Sequence, residues 1–229
     1  GDKRPALYRT IAPLRRVLVK SRVADKFAWG FVPKGWVYNE RLVVLAFDDW
    51  ANYAVVQSSV HETWARQYAS SLKLDMLYNP TDCFENFPFP HDVASLDFYG
   101  EAYHEHRRQI MLDRQEGLTA TYNRFHDPHE SAADIAELRR LHVEMDHAVA
   151  AAYGWDDLDL GHGFHETRQG VRYTISEPAR REVLTRLLAL NHARYAEEVA
   201  AGLHDKKSAK GKGAKRRERS EDGAQPKLL

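Results

Sequence analysis

The run YNPTDCFENFPFP, residues 78–90, constrains the fold more than any other part of the chain. Proline lacks an amide hydrogen and has a fixed φ, so Pro80, Pro88 and Pro90 keep this run out of a helix interior or a central strand. Tyr78, Phe84, Phe87 and Phe89 are nevertheless large rings that a folded chain covers, and Cys83, the only cysteine, lies among them. So apolar an irregular segment must be wedged between other elements. It also separates two stretches of different hydrophobic period.

Before it, the pattern is that of strands. RRVLVKSRV and KFAWGFV are runs of β-branched and aromatic residues, Pro33, Lys34 and Gly35 supply a turn, and WVY and RLVVLAF follow, together predicting an antiparallel meander. Asp48 and Asp49 are placed to cap a helix over WANYAVVQSSVHETWARQYA, with Tyr53, Val56, Val60, Trp64 and Tyr68 on one face. SLKLDMLY reads as one short strand entering the proline-rich run.

After Pro90 the period becomes helical. A helix is predicted from about Val93 to Gly117, carrying Leu96, Tyr99, Tyr103, Ile110 and Arg114 with Gly117 as its C-cap. A second, from Ser131 to Ala152, repeats Ile135, Leu138, Leu141, Met145 and Val149 and ends at Gly154. A turn-rich stretch then leads to a short strand, VRYTIS. Ser176 and Pro178 open a last helix bearing Val183, Leu184, Leu187, Leu188, Tyr195 and Val199. The fold class is α+β: an antiparallel β-rich domain over 1–90, a helical C-terminal region with a short strand over 91–204, and a tail over 205–229.

In 229 residues, 43% hydrophobic and 11% aromatic, there is enough apolar surface for a core. A single cysteine excludes an internal disulfide, no secretory leader pattern opens the chain, and no apolar run approaches the roughly 20 residues of a membrane span. The expected setting is cytoplasmic, with no membrane partner. Net charge is zero, but residues 205–229 hold nine Lys and Arg against four acids, +5, leaving −5 for residues 1–204. That tail has no apolar periodicity and reads as disordered, either a solubilising terminus or a source of sequence-independent attraction to phosphates.

Three histidine groupings raise the question of a metal: His104 with His106, His126 with Asp127 and His129, and His162 with His165. None has zinc-site spacing, and helix positions two apart do not face each other. Cys83 reads as a small buried hydrophobe, and no G-x-S-x-G elbow, G-x-G-x-x-G loop or P-loop is present. Basic residues near the N-terminus are more informative. Arg9, Arg15, Arg16, Lys20, Arg22, Lys26 and Lys34 lie on or beside the predicted strands, as either a solvated sheet face or a face that meets nucleic acid.

The long string from RVLVKSRVADKFAWGFVPKGWVYNERLVVLAFDDWANYAVVQSSVHETWARQYASSLKLDMLYNPTDCFENFPFP resembles the C-terminal target-recognition region of large restriction-modification adenine methyltransferases. That group includes bifunctional type II enzymes and related phage-defence methylases. The resemblance continues through YHEHRRQIMLDRQEGLTATYNRFHDP and the sequence up to NHARYAEE. It implies that CFENFPFP closes the recognition domain, with Phe84, Phe87 and Phe89 buried and Pro88 and Pro90 holding an extended path.

What the resemblance implies for function follows from the family. Its members transfer a methyl group from S-adenosylmethionine to N6 of a flipped adenine, using a catalytic domain with a glycine-rich cofactor loop and an Asn-Pro-Pro-aromatic signature. Neither hallmark is in this chain; YNPT at Tyr78–Thr81 lacks the second proline and the aromatic residue. No cofactor is therefore expected in the chain itself. Its expected partners are double-stranded DNA and a methyltransferase catalytic domain or subunit. Lys20, Arg22, Lys26 and Lys34 are the expected base contacts and Arg15 and Arg16 the expected phosphate contacts, on position and charge. The competing readings are a complete enzyme, and a scaffold or interaction module that does not bind DNA.

Overall fold

The computed structural model describes residues 5–72 and 75–203. The elements, in order, are α1 (Pro5–Ile11), β1 (Arg16–Ser21), β2 (Val23–Ala24), β3 (Gly30–Pro33), β4 (Leu42–Leu45), α2 (Trp50–Gln57), α3 (Ser59–Tyr68), β5 (Ser70–Leu72), β6 (Asp75–Leu77) and α4 (Pro80–Cys83). A 3₁₀ turn (Ala94–Leu96) leads into α5 (Asp97–Asp113), α6 (Leu118–Phe125), α7 (Ala133–Ala152), β7 (Gly163–Thr167), β8 (Gly170–Thr174) and α8 (Glu177–Ala200). The α+β class holds: antiparallel sheets precede the proline-rich run, and helices with one strand pair follow it. No helix among the described residues is long and apolar enough to cross a membrane. The expected tail over 205–229 lies outside the described residues.

Two units are distinguished, Gly1–Leu187 and Leu188–Leu229. In the first, the sheet order is β3-β1-β4, all antiparallel, so β1 is central and the meander expected from the sequence is not formed. The reason lies between β3 and β4: WVY stays out of the sheet, with Trp36 57% and Val37 90% exposed, and the loop carries the chain to the far edge of β1. Strand alternation then sorts the side chains. Val17, Val19, Val32, Leu42 and Val44 share one face and pack with Ile11, Leu7 and Tyr38 in a core under α1. Arg16, Leu18 and Lys20 point to the other face, together with Phe31 and Leu45, which β1 pairs with at Leu18.

The single helix expected over 50–69 is two. Asp49 caps α2 by accepting from the Asn52 amide at 2.7 Å, as expected, but Ser58 is extended, at φ −65° and ψ 158°. Its hydroxyl accepts from the His61 amide and so starts α3. Both helices are buried around most of their circumference, including Tyr53, Val55, Val56, Val60, His61 and Trp64, because a sheet and other helices cover them. At Gly100 the chain of α5 meets α2 so closely that a Cβ would lie 2.1 Å from the Trp50 carbonyl oxygen.

SLKLDMLY is likewise divided, into β5 and β6, and β6 also pairs with β2 in a second small sheet of order β2-β6-β5. The helix expected from Val93 starts at Asp97 and stops at Asp113. Gly117 is the N-cap of a separate helix, α6, that periodicity did not reveal. In α7 the expected Ile135, Leu138, Met145 and Val149 are all buried, and Gly154, at φ +76°, ends it. The short strand near the end is one half of the β7–β8 hairpin. Ser176 accepts from the Ala179 amide to open α8. Val183 and Leu187 are buried, whereas Tyr195 and Val199, in the second unit, are 58% and 49% exposed.

The proline-rich run is folded as a wedge. Pro80 opens the single turn α4, and Phe84, Phe87 and Phe89 then gather with Phe47, at ring separations of 5.2 to 5.9 Å. The Pro88 carbonyl, in a stretch that offers few amides, accepts from the Tyr153 hydroxyl at 2.8 Å. Cys83 is buried against the Ala65 carbonyl, and burial raises its thiol pKa, so it is held neutral.

Candidate nucleic-acid interface

Arg16 begins β1 on the face that carries Phe31. It pairs with Pro33 across the sheet, and Phe31 stands two residues back on the neighbouring strand, the diagonal position that a long side chain reaches. Trp50, the first residue of α2, closes the other side. The Arg16 guanidinium carbon lies 3.7 Å from the Phe31 ring centre and 3.8 Å from that of Trp50, with the two ring planes 85° apart. Its Nε donates to the Asp48 carbonyl at 3.0 Å. The charge is thus seated in the corner of two aromatic faces and tethered at one nitrogen. Burial, then Arg15, lowers its pKa against the pull of Asp48, Glu105 and Asp49. A pocket of about 460 Å³ opens here, lined by Arg15, Arg16, Phe31, Val32, Pro33 and Trp50.

The other basic residues singled out by position are dispersed. Arg15 and Arg22 are exposed, and neither side chain has a hydrogen-bond or ion-pair partner among the described residues. Lys34 is exposed at the β3 turn, its ammonium donating to the Ala12 carbonyl. Lys26 is half-buried and paired with Asp25 at 2.6 Å; Asp25 also holds Arg172 of β8 at 3.1 Å. Lys20 departs from expectation. Strand parity turns it inward with Arg16 and Leu18, and it is 2% exposed beside Phe27 and Tyr78, with its ammonium on the Ser21 carbonyl at 3.3 Å. Burial brings its pKa down to about 8. A side chain so enclosed does not reach a ligand at the surface.

Histidines of each of the three groupings have structural partners. His104 packs on Phe31, Trp50 and Tyr53, His106 bonds the Asp134 carbonyl at 2.8 Å, and His126 accepts from the Tyr173 amide at 3.2 Å. Burial brings His104 down to about 4 and His126 to about 2.

One cluster has the residue types of a nucleophile triad: Ser59 Oγ is 3.1 Å from His142 Nε2, and Asp146 is buried beside both. Its geometry is wrong for one. Asp146 meets the same His142 nitrogen, at 3.4 Å, leaving Nδ1 without a partner, and the carboxylate is occupied by the Ser59 amide and His162, each at 2.8 Å. Burial alone would raise the Asp146 pKa, but His142, His162 and Ser59 hold it down at about 2. The cluster fastens α7 to the start of α3.

The pocket also fails as a seat for S-adenosylmethionine. Its lining has two arginines and no carboxylate to hold a ribose diol, and no glycine-rich turn borders it.

Arg16 is thus borne on β1 and clamped between two rings, with the exposed Arg15 next to it in the chain. Residues 15–91 match the family model described as MmeI, target recognition domain. Among solved structures the chain is similar to the type IIL restriction-modification enzyme MmeI, determined in complex with DNA, with a TM-score of 0.54 and 14% identity. The likeness covers 80% of this chain and 22% of that one; at such identity it is a likeness of fold, and this chain corresponds to under a quarter of that enzyme's length. No curated protein matches the sequence. The resemblance to a target-recognition region thus holds. Phe31, Asp48 and Trp50 are the site residues that sequence reasoning passed over; the only signals were an aromatic strand residue and a tryptophan at a helix start.

Proposed function

We propose that this chain supplies DNA target recognition to a restriction-modification enzyme of the MmeI kind. The match of residues 15–91 to a target recognition domain is the observation that carries the reading. Methyl transfer from S-adenosylmethionine to adenine N6 belongs, in this reading, to a catalytic domain outside the chain, with the whole acting in the cytoplasm as phage defence. Residues 1–90 form the recognition domain proper, residues 91–204 a helical support, and residues 205–229 a basic tail that adds loose attraction to DNA.

Arg15, Arg22 and Lys34, all exposed, are the proposed phosphate contacts, and Lys26 joins them when its tie to Asp25 opens. Lys20, being buried, is left out of the contact set. The test is duplex binding across a salt series, by the full chain and by the chain lacking residues 205–229. Three phosphate contacts give a slope of log K against log salt of about −3 from the body alone. Binding that vanishes with the tail would favour the scaffold reading instead.

A further inference from the structure

We propose that Arg16 is a specificity-determining residue that reads a guanine edge with its two terminal amino groups; this rests on the DNA-recognition reading above. A guanidinium has five N–H donors, and the single N–H on Nε is spent on the Asp48 carbonyl at 3.0 Å. The four donors on Nη1 and Nη2 have no partner among the described residues. The two rings and the tether fix the plane of the group, with ring centres 3.7 and 3.8 Å from its carbon. Two coplanar amino groups so held match two acceptors spaced like guanine O6 and N7, and prior ordering of the side chain removes an entropic cost of binding.

Phosphate oxygens are the competing acceptors, and the surroundings of Arg16 disfavour them. Asp48, Asp49 and Glu105, the last paired with Arg108 at 2.6 Å, all act on its charge, as does the cation Arg15. Asp48 and Asp49 repel a phosphate anion and leave a neutral base edge almost unaffected. The pocket walls argue the same way: Phe31, Pro33 and Trp50 present apolar surface, which suits a base plane better than a hydrated phosphate. Arg15 and Arg22, solvated and untethered, have the opposite character and suit the DNA backbone.

The experiment is selection of bound duplexes from a randomised pool by the full 229-residue chain, unmodified and as Arg16→Lys, Arg16→Gln and Arg22→Gln. The unmodified chain should enrich guanine at one base pair; Arg16→Lys and Arg16→Gln should lose about tenfold of that preference at that position only. Arg22→Gln should keep the preference and lower affinity for every sequence alike. A second arm leaves the protein untouched. Replacing that guanine by 7-deazaguanine removes the N7 acceptor, and the unmodified chain should bind about tenfold more weakly. If the deaza duplex binds equally well, or if Arg16→Gln weakens all sequences uniformly and reduces the salt slope by about 0.9, Arg16 is a phosphate contact and the inference falls while DNA recognition stands. If the unmodified chain enriches no sequence, the proposed function falls, and the inference with it.

Discussion

Acidification should unfold this protein in a pH range where its carboxylates are still ionised, and His61 is the place to see it. Its ring is fully buried in α3, 4.5 Å from the Phe87 ring and with Nε2 2.9 Å from the Tyr78 hydroxyl, while Nδ1 has no partner. Burial, reinforced by the charge of Lys20, brings its pKa from 6.5 down to about 3. The unfolded chain takes up a proton near pH 6.5 and the fold does not, so the stability of neutral His61 is complete above 6.5 and is lost as pH falls toward 3. Well below 6.5 each pH unit costs about 1.4 kcal/mol, hence about 2–3 kcal/mol between pH 6.5 and roughly 4.5. His126, at about 2, adds a similar amount over the same range, and the sum of about 5 kcal/mol rivals the whole stability of a marginal domain. The assay is urea unfolding of the chain and of His61→Gln at several pH values from about 7.5 to 4.5. The glutamine variant starts less stable, having lost its ring contacts, but its stability should fall less steeply, by about 1.4 kcal/mol per unit. Parallel pH dependences for the two proteins would refute the reasoning.

Other perturbations have equally definite signs. Gly100→Ala should destabilise by about 1–3 kcal/mol in thermal or urea unfolding, since its Cβ would overlap the Trp50 backbone oxygen at 2.1 Å and one helix would have to move. Lys20→Met should raise stability at neutral pH by about 1–3 kcal/mol while leaving DNA affinity unchanged. The buried ammonium, with its pKa brought down from 10.5 to about 8, costs free energy wherever it is charged, and that cost shrinks as pH rises through this interval. A lower melting temperature for Lys20→Met would show that the Ser21 carbonyl and the Phe27 and Tyr78 rings offset the burial of the ammonium, and weaker binding would show that it reaches a ligand.

Much of the fold was legible in the chain because the relevant physics is local. The β-branched runs became β1, β3 and β4, the i, i+3, i+4 stripe became α7, Asp49 and Ser176 cap the helices they were placed to cap, and the proline-rich run is the irregular apolar wedge its composition demands. Errors arose where two local signals competed. Ser58 interrupts a helix whose apolar face continues across the break, and Gly117 starts a helix rather than ending one, because glycine serves either end.

The candidate site was only half legible, and the reason is register. Charge and position singled out Arg15, Arg16, Lys20, Arg22, Lys26 and Lys34 together, but a strand sends successive side chains to opposite faces. Once β1 is the central strand, Arg16 and Lys20 must point toward the helices, whereas Arg15 and Arg22, just beyond the two ends of β1, escape the alternation and stay in water. By itself, then, the sequence determined most of the strands and helices, where irregular backbone is unavoidable, and the likeness of residues 15–91 to a target recognition domain, since all three reside in ordered strings of residue types. The tertiary structure alone decided that Lys20 is enclosed and that Arg16 is clamped. Those outcomes depend on pairing between strands and on a tryptophan 34 positions away in sequence, brought to within 3.8 Å only when α2 packs on the sheet.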